Sequence, residues 1–222
     1  GTLYLPLVLE IDNLNIIKWW VDASYAVHPD CKSHTGAMMS LGKGAISSMS
    51  RKQKLNTKSS TEAELVGVDD ASAQILWTNY FIQSQGYIID ETEVFQDNLS
   101  ATLLEINGRE SSGRRTKHIN VRYFFIKDWV ASGEVTIKYC PTEMMLADPF
   151  TKSLQGAAFR KFRALIMNID ESIPDCEMSW DRADMLIREI WADLRPQECV
   201  GMDSKSLEVP RGTYSAAVRA GG

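Results

Sequence analysis

A single carboxylate inside an apolar run sets the first constraint on this chain. Ile16 to Tyr25 reads Ile-Ile-Lys-Trp-Trp-Val-Asp-Ala-Ser-Tyr. The run is rich in β-branched and aromatic side chains and predicts a buried β-strand. Val21 and Asp22 must then point to opposite faces. A bare carboxylate in such a strand is costly unless it is paired, hydrogen-bonded or bound to a metal. Three more acids stand in settings that suit the same role: Glu64 before Leu65, Asp97 after Phe95-Gln96, and Asp148 after Leu146-Ala147. A fold that gathers Asp22, Glu64, Asp97 and Asp148 makes an all-oxygen cage of high negative charge. Such a cage selects hard divalent cations, Mg²⁺ or Mn²⁺, over zinc. Two ions roughly 3.5–4 Å apart in such a cage can clamp the attacking and leaving oxygens of a phosphodiester.

The remaining pattern supplies elements to carry these acids. Gly36–Met39 and Ala45–Met49 read as two further short strands, with Gly42-Lys43-Gly44 as the hairpin turn between them. Lys52 to Lys58 reads as a polar, basic loop. A helix is expected from Ser59 or Ser60 to about Gly86, with Leu65, Val68, Ala71, Ile75, Leu76 and Phe81 at helical spacing. Trp19, Trp20 and Trp77 are expected in the core. Thr92–Gln96 reads as a strand, and Asn98 or Ser100 can cap a helix over Ala101–Asn107. A basic loop, Gly108–Lys117, precedes a helix over Ile119–Ala131. Glu134–Tyr139 alternates as a strand, and Pro141-Thr142 turns into a last helix carrying Asp148.

Length and charge bound the rest. A chain of 222 residues with 44% apolar content fits one domain with appendages. Its net charge of −5 is uneven. From Asp170 onward eleven acidic residues face six basic ones, so the body before it is neutral. A neutral body with a locally basic face can still bind a polyanion. Ser179 can cap an amphipathic helix from Trp180 to Leu194, and the polar stretch 197–222 predicts disorder. Cys31, Cys140, Cys176 and Cys199 offer no close metal or redox pair. Reduced thiols, no signal peptide and no run long enough to span a membrane point to an intracellular protein, cytoplasmic or nuclear and not secreted. A start at Gly1 suggests a fragment of a longer chain.

Five motifs in order carry a specific resemblance. They are Val21-Asp22-Ala23-Ser24, then Lys58-Ser59-Ser60-Thr61-Glu62-Ala63-Glu64, then Gln96-Asp97-Asn98-Leu99-Ser100-Ala101. Thr116-Lys117-His118-Ile119-Asn120-Val121-Arg122 and Ala147-Asp148-Pro149-Phe150-Thr151-Lys152 complete the set. Over about Trp19 to Met167 the chain resembles the ribonuclease H region of copia-type retrotransposon polyproteins. The resemblance implies an α/β ribonuclease-H-like fold, a mixed five-stranded sheet flanked by helices, to which the residue pattern adds a C-terminal helical or disordered extension. It implies a domain over 17–168, preceded at 1–16 by the end of a reverse transcriptase region, while composition alone marks an acidic tail at 169–222. It also implies cleavage of the RNA strand of RNA–DNA hybrids with two Mg²⁺ or Mn²⁺ ions, beside the reverse transcriptase of the same polyprotein. The family's catalytic acids fall on Asp22, Glu64, Asp97 and Asp148.

Each acid has a structural competitor. Glu64 can close a capping box with Thr61, or Ser59 and Glu62 can form that box and leave Glu64 free. Asp97 can cap the next helix unless Asn98 or Ser100 does so. Pro149 stands where the family more often has an aliphatic residue, and it removes a backbone donor beside Asp148. Arg109, Arg114, Arg115, Lys117, His118 and Arg122 form a basic cluster whose Ser and Gly interleaving suits phosphate contact. His118 is equally a surface or capping residue. Ser24 and Ser60 are candidate donors to the 2′-OH in the wide minor groove of a hybrid. Cellular ribonucleases H place a mobile histidine between the last strand and last helix, and here Cys140-Pro141-Thr142 has none. Two rival readings remain: a decayed or repurposed copy that binds nucleic acid or a partner without cutting, and a DNA strand transferase, which would need a glutamate where Asp148 stands.

Overall fold

The computed structural model describes residues 5–107 and 120–169, without the side chains of 120–125. Among the described residues the regular elements run β1 (Glu10–Ile11), β2 (Ile16–Ser24), β3 (His34–Ser40), β4 (Gly42–Lys43), β5 (Ser47–Lys52), α1 (Ser60–Ser84), β6 (Glu91–Gln96), α2 (Leu99–Asn107), α3 (Asn120–Ser132), β7 (Thr136–Tyr139) and α4 (Gly156–Met167). Two single 3₁₀ turns, Thr142–Met144 and Asp148–Phe150, lie between β7 and α4. The main sheet has the order β5-β3-β2-β6-β7. Its first three strands are antiparallel neighbours, and β2, β6 and β7 are parallel. This is the five-stranded mixed sheet of the ribonuclease-H-like fold, as expected from the sequence.

The alternation along β2 divides its side chains between two environments. Ile17, Trp19 and Val21 pack with Val94 and Ile137 against Val68, Ala71 and Ile75 of α1 and Ile126 of α3. On the other face Trp20 stacks on Phe95 at 5.1 Å, against a small cluster of Cys140, Met145 and Ala147. Trp20 and Phe95 are register partners on adjacent parallel strands. Two residues further on, period two returns both chains to that same face with Asp22 and Asp97.

Position 36 decides how the acid-bearing face is closed. Gly36 is the register partner of Asp22. A Cβ there would sit 2.7 Å from Thr151 Cγ2, 2.9 Å from the Ala147 carbonyl oxygen and 2.9 Å from Phe150 Cβ. The turn carrying Asp148 therefore rests directly on the glycine.

Several expectations are corrected. Gly42-Lys43-Gly44 is not a tight hairpin turn, because Gly42–Lys43 pairs as β4 with Glu10–Ile11 of β1. A Cβ at Gly42 would lie 2.4 Å from the Glu10 oxygen and one at Gly44 2.3 Å from the Val8 oxygen, so both glycines serve close backbone approach. The following strand starts at Ser47 rather than Ala45, because the Ala45 N–H donates to Ile166 of α4. Val8 likewise donates to Met167, which ties part of the expected 1–16 linker to the domain. Trp77 and Phe81 are not core: they stack on each other at 5.0 Å on the exposed side of α1. The inward stripe continues from Ile75 to Thr78 and Asn79, where Asn79 donates to Thr92 Oγ1 at 2.9 Å. Asp148 belongs to its own 3₁₀ turn and not to the last helix, which begins only at Gly156. The helix expected over 180–194 lies outside the described residues.

Gly36→Ala should destabilise the domain by about 1–3 kcal/mol, the usual cost of overpacking. Denaturant unfolding measures it, and an unchanged midpoint would show that the turn does not rest on this glycine.

Candidate metal centre at the ends of the parallel strands

Each acid reaches the centre by a local rule. Asp22 and Asp97 project from the C-terminal ends of β2 and β6, where open α/β sheets present their ligand sites. Asp97 is spared capping duty because Asn98 Oδ1 accepts from the Ser100 and Ala101 N–H groups at 3.0 and 3.1 Å. Ser59 caps α1 by accepting from the Glu62 N–H at 3.2 Å, and the Glu62 carboxylate accepts from the Lys58 N–H at 2.6 Å. The capping pair is thus Ser59 and Glu62, which leaves Glu64 free to turn inward. Asp148 opens its 3₁₀ turn, and Pro149 stands in the first positions of that turn, where an N–H has no helical acceptor. The missing donor therefore costs the turn nothing.

One oxygen from each of Asp22, Asp97 and Asp148 lies within 4.8 Å of the other two. Asp22 and Asp148 are buried and Asp97 is half-buried. Glu64 is not among these three converging acids; it is buried near enough for the charges of Asp22 and Asp97 to act on it, and its Oε2 has no hydrogen-bond partner among the described residues. Thr151 Oγ1 donates to Asp22 Oδ2, and Thr142 Oγ1 donates to Asp97 Oδ2 at 3.1 Å. Lys152 Nζ lies 2.7 Å from Asp148 Oδ1 and 3.5 Å from Asp22 Oδ2.

Burial, then the neighbouring carboxylates, shape the protonation of this group. Burial raises the Asp22 carboxyl above its ordinary value, with Asp148 adding to it and Lys152 and Thr151 opposing. Burial also raises Asp97, with the charge of Asp22 second. Glu64 is raised well above the carboxylate range, first by burial and then by Asp22, Asp97 and Glu105. Three converging oxygens and an orphaned Glu64 oxygen fit divalent cations, whose charge would offset the burial and repulsion that raise Asp22, Asp97 and Glu64.

Of the other sequence candidates, only Ser24 and Ser60 have described side chains. Ser24 is buried and donates to the Thr151 carbonyl at 3.1 Å, tying the end of β2 to the Asp148 turn. Ser60 is exposed at the first position of α1. Arg122 is on α3, and its side chain is outside the described atoms. Arg109, Arg114, Arg115, Lys117 and His118 lie outside the described residues. Residue reasoning missed Lys152, Thr151 and Thr142 as partners of the acids. The i,i+4 spacing of Asp148 and Lys152 was the available signal for the first. It also missed Glu105, which is fully buried on α2 with both carboxylate oxygens unpartnered among the described residues. Its proximity in sequence to inward-facing Ala101, one helical turn earlier, was the only hint.

Sheet order and acid cluster together define a ribonuclease-H-like domain. No protein-family model matches the chain. The Pol polyprotein of transposon RE2 from Arabidopsis thaliana is 37% identical over 164 residues, 73% of this chain. That of transposon TNT 1-94 from Nicotiana tabacum is 33% identical over 152 residues, 68% of this chain. Each alignment covers 11% of the relative, so the chain spans about a tenth of the length of the curated relatives it matches. Among solved structures, the LC11 RNase H1 isolated from compost has a TM-score of 0.45 and 14% identity, over 61% of this chain and 92% of that one. The homologues of this chain are the Pol polyproteins of copia-type retrotransposons, and it is a ribonuclease-H-like domain of that family.

Burial pushes the Glu105 carboxyl up to about 8. The folded protein then keeps a proton that the unfolded chain releases near pH 4.5. This contribution is fully present below that pH and is lost as pH rises toward 8. Glu105→Gln should flatten the metal-free stability profile across this window, by as much as about 4 kcal/mol at its alkaline end. Thermal melts from about pH 4 to 9 read it, and parallel profiles for the two proteins would contradict it.

Proposed function

We propose that this domain hydrolyses the RNA strand of RNA–DNA hybrids during reverse transcription, acting beside the reverse transcriptase of the same polyprotein. The observation that carries this reading is the convergence of Asp22, Asp97 and Asp148 within 4.8 Å at the carboxyl end of parallel strands. Asp22, Glu64 and Asp97 would hold one divalent cation, and Asp22 with Asp148 the other. When bound, Mg²⁺ or Mn²⁺ supplies an activated water near neutral pH and a counter-charge for the leaving 3′ oxygen.

The chain's own part is to hold the carboxylates in place. The Thr151 and Thr142 hydroxyls each fix one carboxylate oxygen, of Asp22 and Asp97 respectively. The Trp20–Phe95 stack and the Cys140–Met145–Ala147 cluster pack on the same face one strand repeat before Asp22 and Asp97. The basic segment with Arg109, Arg114, Arg115, Lys117 and His118, continued by Arg122 on α3, would track phosphates without reading bases. Ser60, exposed at the start of α1, would face the 2′-OH side of the hybrid.

Cleavage of a labelled hybrid with Mg²⁺ or Mn²⁺ tests the reading. The RNA strand should be cut only with metal, and Asp97→Asn should lower the rate by at least roughly 10²–10³-fold. Metal-independent cutting, or full activity in Asp97→Asn, would sink it. Hybrid binding without cutting by the unaltered chain would favour the alternative of a repurposed binding module.

The phosphate-tracking assignment has its own check. Replacing Arg114 and Arg115 by Ala should reduce the slope of log affinity against log salt by about 1 for each phosphate that they neutralise. An unchanged slope would remove these two residues from the interface.

A further inference from the structure

Lys152 has no part in the two-cation scheme, yet it sits inside the cluster. Its Nζ lies between Asp148 Oδ1 at 2.7 Å and Asp22 Oδ2 at 3.5 Å, the pair of carboxylates assigned above to the second cation. Its charge also opposes the upward shifts of Glu64 and Asp97. The partners differ in freedom to move. The Asp22 and Asp148 side chains are 2% and 8% exposed and are held by a strand and a packed turn. The Lys152 side chain is 40% exposed. Its flexible four-carbon stem lets the ammonium swing into water with little loss of hydration.

We propose that Lys152 is a built-in counter-cation that holds the Asp22–Asp148 position and is displaced from it when a divalent ion binds there. The inference rests on the two-cation reading. In the metal-free domain the ammonium offsets the repulsion between two buried carboxylates, so the turn can close on β2 before any metal arrives. A divalent ion at that position must then compete with a charge already present. The two sites would therefore fill unequally, with the Asp22–Glu64–Asp97 site filling at lower metal concentration.

Two measurements test this without reference to catalysis. In Mn²⁺ titration calorimetry, Lys152→Met keeps most of the apolar stem and removes the competing charge. It should bind the weaker ion roughly tenfold more tightly. Lys152→Arg, which keeps the charge, should stay near the unaltered chain, and a folding defect would instead show as weakened binding at both sites. In the second measurement an acetylating reagent is applied to the unaltered chain and modification is read by peptide mass spectrometry. An ammonium tied to two carboxylates reacts slowly, so Lys152 labelling should rise several-fold at saturating Mg²⁺. Lys43, paired with Glu10 away from the cluster, should not change. Unchanged Lys152 labelling with metal demonstrably bound, or no tightening in Lys152→Met, would overturn the displacement while leaving the two-cation reading intact. No metal binding by the unaltered chain would remove both.

Discussion

The contact between the Asp148 turn and Gly36 is the constraint on which the site depends. Two of the acids come together through strand pairing alone, because β2 and β6 are parallel neighbours in register. Asp148 comes from a segment well over a strand and two helices later and has no strand to guide it. It arrives because the chain from Ala147 to Thr151 can settle on a strand that lacks a side chain at one position. Three hydrogen bonds then hold it: Ser24 to the Thr151 carbonyl, Ser50 to the Phe150 carbonyl, and Thr151 to Asp22. A Cβ at position 36 would separate two elements that the fold holds in contact.

That closure works against electrostatics. Packing drives Asp22, Glu64 and Asp97 into a region where burial and mutual repulsion both disfavour charge. The fold tolerates this with local compensation rather than a full set of partners. Two threonine hydroxyls and one ammonium serve three of the carboxylates, and Glu64 keeps an oxygen with none among the described residues. Glu105 adds a buried acid on α2, whose helix packs on α1 through Ala101 and Leu65. Its fully buried carboxyl stays neutral over most of the physiological range, because ionising it would leave an uncompensated charge in the protein interior. A centre with more acid than base is one that a cation would stabilise.

Local rules read well wherever the determinants are close in sequence. The strand around Asp22, the long helix after Ser59 and the Asn98 cap depend on neighbours within a few residues. Each is found close to its expected place. Errors arose where a distant segment set the outcome. The glycines at 42 and 44 looked like a turn but make room for the backbone of Val8 and Glu10. Trp77 and Phe81 looked like core because they are large and apolar, but the helical stripe had rotated past them by that point. Polar Thr78 and Asn79 took the inward positions because Thr92 offered Asn79 a buried hydrogen-bond partner.

The sequence by itself determined which residues could be the acids. A carboxylate within an apolar strand, or spared from capping by a better-placed neighbour, is a local fact, and the motif order made the family legible. Only the tertiary structure decided that Asp148 stands in a separate turn, that Pro149 does not disturb it, and that Lys152 and two threonines complete the centre. Those outcomes depend on which backbones approach within van der Waals distance across long stretches of chain. Hydrophobic periodicity and capping preferences act over a turn or a strand and carry no information about such distances.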